Sequence, residues 1–215
     1  MKKIHQISLA IFGLLVPFLS IADDWPQYGN YGGQQYTPLT QISADNLDQL
    51  EEVWRFRTGD LGQGFTYKGH SMQANPILWN RTLYLSTSAN WVIAVDAQTG
   101  VELWRFDPGL PKDIRYSSSA SRGVSLWQGS TAVCPSRIFL GTLIGELIAL
   151  DALTGEPCSD FGVNGRIDLS KGAGSVELGE YSITSPPAIL GDLVIVGSAI
   201  GDNRATDLER GIVRA

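Results

Sequence analysis

One phrase is written twice in this chain and begun a third time. Residues 94–104 read Ala-Val-Asp-Ala-Gln-Thr-Gly-Val-Glu-Leu-Trp, and residues 149–155 read Ala-Leu-Asp-Ala-Leu-Thr-Gly. The final Ile212-Val213-Arg214-Ala215 reads as the approach to another copy, reaching its alanine. Self-similarity at this spacing marks a repeat architecture, in which each unit buries its apolar faces only against its neighbours. A chain that stops inside a repeat is expected to be the N-terminal part of a larger protein.

Each repeat reads as four short strands. In the first, residues 76–79, 82–87, 91–96 and 101–106 are apolar or β-branched runs separated by Asn80-Arg81, a short polar loop and the Thr99-Gly100 turn. The second unit runs 123–127, 137–142 and 146–151, then the Thr154-Gly155 turn. The third runs 187–190 and 193–197 around Gly191-Asp192. Residues 53–57 alternate and read as one more strand. Four antiparallel strands in sequence make one propeller blade, so the fold class is all-β, a β-propeller, with about two and a half blades present. The marker alanines Ala94, Ala149 and Ala215 are 55 and 66 residues apart. Those intervals exceed a minimal blade and predict inserted loops at 112–121 and 172–184, where binding residues tend to lie. Within the phrase, Asp96 is placed to accept hydrogen bonds from the turn's own amides, and Gly100 supplies the positive φ the turn needs. Trp104 can return as an apolar wedge between blades. The second copy keeps Asp151 and Gly155 but places Ser159 at the count matching Trp104, so the wedge is expected to be lost there.

Residues 1–22 read as a secretory signal peptide, leaving 23–215 as the propeller part. Lys2 and Lys3 precede an apolar run from about Ile7 to Ile21, with small residues before Asp23. The alternative, a membrane anchor, needs a span of about 20 residues, and this run is shorter and holds Pro17. Without the leader, 14 Lys and Arg face 22 Asp and Glu, a net charge of −8. That balance argues against nucleic acid as the partner. In an exported protein, Cys134 and Cys158 read by default as one disulfide. A thiol pair or metal ligands are the alternatives, and with no histidine nearby the two make a poor metal site.

The pattern Ala-x-Asp-x-x-Thr-Gly-x-x-x-Trp, met by Ala94, Asp96, Thr99, Gly100 and Trp104, resembles the tryptophan-docking motif of the quinoprotein dehydrogenases. The start Asp24-Trp25-Pro26-Gln27-Tyr28-Gly29, with Arg122-Gly123-Val124, Arg137 to Thr142 and Val194 to Ser198, resembles the same family in order. The likeness implies an eight-bladed propeller carrying pyrroloquinoline quinone (PQQ) on its axis with a divalent cation, usually calcium. It implies periplasmic oxidation of alcohols, polyols or aldose sugars, with a cytochrome or a membrane quinone as electron acceptor. Carried over residue by residue, it places Gln73, Arg122 and Thr184 at the quinone and Asp202 and Asn203 at the cation. A guanidinium suits a quinone carboxylate or carbonyl oxygen, and a hard cation prefers oxygen ligands. The family's base is an aspartate in a later blade, beyond Ala215, so no catalytic residue is assigned here and the 215 residues alone are expected to be inactive.

The likeness has departures. Where alcohol-oxidising members carry adjacent cysteines, this chain has Tyr116 and Ser117. Where glucose and quinate types often carry histidine, it has Ser118. A sugar, polyol or cyclic alcohol acid is therefore favoured over methanol or ethanol. On composition alone the serine run at 117–121 reads as a flexible loop, and His70 as a loop residue near the cofactor mouth. The alternative function is a non-enzymatic propeller scaffold of the cell envelope, which shares the repeat and binds no quinone.

Overall fold

The computed structural model describes residues 24–60, 72–201 and 210–215. The predicted leader, His70, Asp202 and Asn203 fall outside these residues. Among those described, eleven strands form three antiparallel sheets. The first holds β1 (Ile77–Trp79), β2 (Thr82–Ser86), β3 (Val92–Asp96) and β4 (Glu102–Phe106). The second holds β5 (Ser125–Gln128), β6 (Ser136–Gly141), β7 (Glu146–Asp151) and β8 (Arg166–Asp168). The third holds β9 (Ala188–Leu190), β10 (Leu193–Gly197) and β11 (Val213–Arg214). Each sheet follows chain order, as a propeller blade does. Tyr31–Gly33 and Leu47–Gln49 are single 3₁₀ turns. No helix among the described residues is long and apolar enough to cross a membrane.

The register explains the repeated alanine. Ala94 opposes Tyr84 and Ala149 opposes Phe139. Val196 opposes Arg214, so one step further Ala215 faces Ile195. The middle strands are buried on both faces, and successive side chains feed different cores. On β3, Val92 and Ala94 join the cluster between the first two blades, while Ile93 and Val95 pack on the opposite face with Trp54 and Phe56. On β7, Ile148 and Leu150 join the first-to-second cluster. Leu147 and Ala149 join the second-to-third cluster, with Tyr181, Ile183 and Val196. This double burial makes the strands read as near-continuous apolar runs. Asn80 and Arg81 both adopt positive φ, 47° and 61°, which matches the twist of a tight hairpin.

The repeat turn couples each blade to the one before it. Asp96 Oδ1 accepts from the amides of Gln98 and Thr99 and from the Thr99 hydroxyl. Asp151 does the same with Leu153 and Thr154. Trp104 of the first blade lies on Gly155 of the second, where an added Cβ would sit 2.6 Å from the indole. Its Nε1 donates to Ala152 O at 3.1 Å. Trp54, from the segment before the first blade, lies on Gly100 in the same way and donates to Ala97 O at 3.2 Å. The glycine is thus required twice, for its φ of 72° or 76° and for the face it offers the incoming ring.

One expectation is corrected and another refined. Residues 53–57 alternate in burial as predicted but pair with no strand among the described residues. A ladder needs a neighbouring edge, and this segment instead packs Trp54 and Phe56 on the face of the first blade. Ser159 follows directly on the pairing that leaves the turn: Leu150 bridges Pro157 as Val95 pairs with Glu102, and Cys158 N donates to Ala149 O at 2.9 Å. The chain then leaves the ladder and returns at Gly165, whose carbonyl accepts from Ala149 N at 2.9 Å, so no large ring stands across from Ala149 as Trp104 stands across from Ala94. The intervening insertion carries Phe161, whose ring meets Phe139 edge-on at 5.3 Å and fills the second-to-third cluster. Phe161 packs on its own blade rather than on a turn glycine of the next, so the tryptophan wedge is absent at this position among the described residues, as expected. Cys134 and Cys158 form a disulfide with Cα atoms 5.9 Å apart, tying this insertion to the β5–β6 loop.

Candidate cofactor site

The inner strands converge on one side of the molecule, and the chain start crosses all three there. Trp25 exchanges backbone hydrogen bonds with Leu78 at 2.7 and 2.9 Å, and Pro26 O accepts from Leu126 N at 2.8 Å. Gln27 Oε1 accepts from Ile189 N at 3.3 Å. Leu78, Leu126 and Ile189 are the same register position of β1, β5 and β9. The carboxylate of Asp24 accepts from Asn80 N and fixes the end of this strap.

Above the strap, the segments entering the three blades are stitched together. Arg122 donates its amide to Thr184 O at 2.9 Å, and Arg122 O accepts from Asn75 N at 3.1 Å. Gln73 lies two residues before Asn75 and is exposed; Thr184 is half-buried. Two of the three residues expected at the quinone, Arg122 and Thr184, are therefore bonded directly, and Gln73 leads into their third partner. Only Arg122 faces the open cavity of about 640 Å³ that Gln27, Asn75, Ser185 and Ile189 also line. Its side chain is exposed and joins none of the ion pairs among the described residues. A guanidinium beside a cavity, with no carboxylate partner among the described residues, is suited to an anion.

The two inserted loops meet each other. Ser117 N donates to Gly179 O at 2.9 Å, and the Ser117 hydroxyl reaches the carbonyls of Gly179 and Glu180. The serine run is hydrogen-bonded rather than loose: the Ser118 hydroxyl accepts from Ala120 N, and Ser121 Oγ donates to Ser86 Oγ at 2.7 Å. Tyr116 is buried against Leu110 and Leu143, and its hydroxyl donates to Pro111 O. Burial, with Asp113 nearby, pushes that phenol up to about 12. Asp60 anchors the edge of the same face. Burial opposes its ionisation, but hydrogen bonds from Thr58, Ser88 and Thr87 outweigh burial and hold its carboxyl below the usual range. Neither the Ser86–Ser121 pair nor Asp60 was singled out in the sequence. Nothing in one chain links serines 35 residues apart until the blades are assembled.

Antiparallel sheets in chain order, two of them four-stranded, coupled by tryptophan docked on the glycine of the next repeat turn, define a tryptophan-docked β-propeller. Residues 25–215 match the family described as PQQ glucose/ethanol/alcohol dehydrogenase, beta-propeller domain, and the chain belongs to that family. The quinate/shikimate dehydrogenase (quinone) of Acinetobacter baylyi is 36% identical over 213 residues, covering 89% of this chain and 26% of that protein. The quinoprotein glucose dehydrogenase of Escherichia coli is 36% identical over 204 residues, covering 90% and 26%. Among solved structures, the quinohemoprotein alcohol dehydrogenase of Comamonas testosteroni superposes with a TM-score of 0.65 at 28% identity, over 82% of this chain and 23% of that one. A europium-containing methanol dehydrogenase superposes at 0.64 with 26% identity, over 88% and 29%. The chain thus spans about a quarter of the length of these relatives.

Proposed function

We propose that this chain is the N-terminal part of a periplasmic PQQ-dependent dehydrogenase that oxidises an alcohol, polyol or aldose sugar. The observation that carries the reading is Arg122: a guanidinium with no ion-pair partner among the described residues, fixed by backbone bonds to two neighbouring blades beside an open cavity. PQQ is a tricarboxylate, and a guanidinium flanked by hydroxyl and amide donors suits its chemistry. When bound, PQQ supplies the two-electron acceptor for hydride removal from a CH–OH group. Arg122 would hold a carboxylate or carbonyl oxygen of the ring system, with Thr184 and Gln73 donating hydrogen bonds to its periphery. Asp202 and Asn203 are proposed to hold a divalent cation, calcium by preference, through oxygen donors.

The two relatives above that are 36% identical are named for quinate/shikimate and for glucose, which supports a cyclic polyol or sugar substrate. The loss of adjacent cysteines at Tyr116 and Ser117 points the same way. Export by residues 1–22, a cytochrome or membrane quinone as acceptor, and inactivity of the 215 residues alone belong to the same proposal.

Its test is reconstitution. The protein expressed from its gene is loaded with PQQ and calcium and assayed with an artificial electron acceptor against quinate, glucose, glycerol and ethanol. Turnover that needs PQQ and falls on chelation is expected, with the cyclic substrates ahead of ethanol. Absence of PQQ-dependent turnover on every CH–OH substrate would contradict it.

A further inference from the structure

The two blade interfaces solve the same packing problem differently. At the end of β6, Gly141 packs directly on Ile183, where an added Cβ would lie 2.2 Å from Cγ2. The equivalent position at the end of β2 is Ser86, since Ser86 faces Val92 as Gly141 faces Leu147. Here the first-to-second interface is closed by the hydroxyl pair, Ser121 Oγ donating to Ser86 Oγ at 2.7 Å. Both residues are buried, at 4% and 0% exposure. Burying two hydroxyls brings little net stability even when they are bonded to each other. The fold does not need them, because the neighbouring interface manages with glycine and an aliphatic side chain.

What the pair does is hold the residue preceding Arg122. The Arg122 amide and carbonyl are tied sideways to Thr184 and Asn75. Gly123, at φ 140°, follows with no side chain of its own to lock it. Ser121 is therefore the side-chain anchor on the N-terminal side of the guanidinium. We propose that Ser121 and Ser86 are positioning residues that aim Arg122 into the cavity and so set its affinity for an anionic ligand. The inference rests on the reading of Arg122 as the quinone's partner, and its test separates the two.

In the protein expressed from its gene, Ser121→Ala, Ser86→Ala, the double variant and Ser121→Thr are compared with wild type. Three quantities are read: folding stability, PQQ dissociation constant, and the rate at which phenylglyoxal modifies Arg122, followed by mass spectrometry. Ser121→Ala leaves one buried hydroxyl unpaired and is expected to lower stability and to weaken PQQ about three- to tenfold. Its Arg122 modification rate should shift about threefold or more. The double variant removes both hydroxyls and should regain stability while keeping the weakened PQQ binding and the altered rate. Ser121→Thr, which keeps a hydroxyl, should stay within about twofold of wild type. If binding and modification rate return to wild type together with stability in the double variant, the pair is only structural and the inference is overturned. If wild type binds no PQQ, the proposed function falls, and the Arg122 modification rate still decides the role of the serines.

Discussion

Gly155 shows how much a single position can carry. It sits at φ 76°, where a side chain is strained, and its open face receives the Trp104 ring. Gly155→Ala should lower stability by about 2–4 kcal/mol, adding backbone strain to a steric clash. Trp104→Phe should cost about 1 kcal/mol, mainly the lost hydrogen bond to Ala152 O. Urea denaturation of both variants checks the order, and a neutral Gly155→Ala would refute the docking account. Asp60 gives a pH signature. Its folded carboxyl is held below the ordinary 3.8, so its stabilisation is present above that pH and is lost as pH falls through the lowered value. Asp60→Asn should cost about 1–2 kcal/mol at pH 7 and flatten the decline in Tm below pH 4. An unchanged acid profile would remove Asp60 from the account.

At the scale of elements, the repeat was readable because its turn chemistry is local. Aspartate, threonine and glycine within five residues bond to one another, so the strands on either side could be placed to within a residue or two. β8 was not readable. An insertion after Cys158 interrupts the fourth strand of the second blade, and only pairing with Ile148 shows that the strand resumes at Arg166. Phe161 lies in that insertion and meets Phe139 edge-on, a contact that counting from Asp151 misses. Residues 53–57 failed for the opposite reason: the alternation is real, but a strand is defined by its partner. The disulfide holds the Phe161 insertion against the β5–β6 loop, with Arg137 bonding Cys134 O and Asp160 across it. Replacing both cysteines by serine should lower stability by about 3 kcal/mol on the loop-closure estimate. It should also raise protease cleavage in the insertion. Equal cleavage with and without the bridge would show that packing alone holds Phe161.

At the scale of the molecule, the three blades share one inner side, and the strap at 24–27 meets the same register position on each. Arg122 stood out in the sequence because the residues around it resemble a family whose motif is continuous, and the structure places it beside the cavity; its bond to the quinone is the proposal. The strap, the Asn75 bond and the serine pair were not, since each joins residues that only the radial arrangement brings together. The central claim is that this inner side binds a tricarboxylate quinone through Arg122. Its most direct test is equilibrium titration of PQQ, with calcium present, into the protein expressed from its gene and into its Arg122→Ala variant. The account predicts saturable binding by wild type, weakened about 10- to 100-fold in the variant with little change in Tm. Equal binding by the two proteins, or none by either, would contradict it.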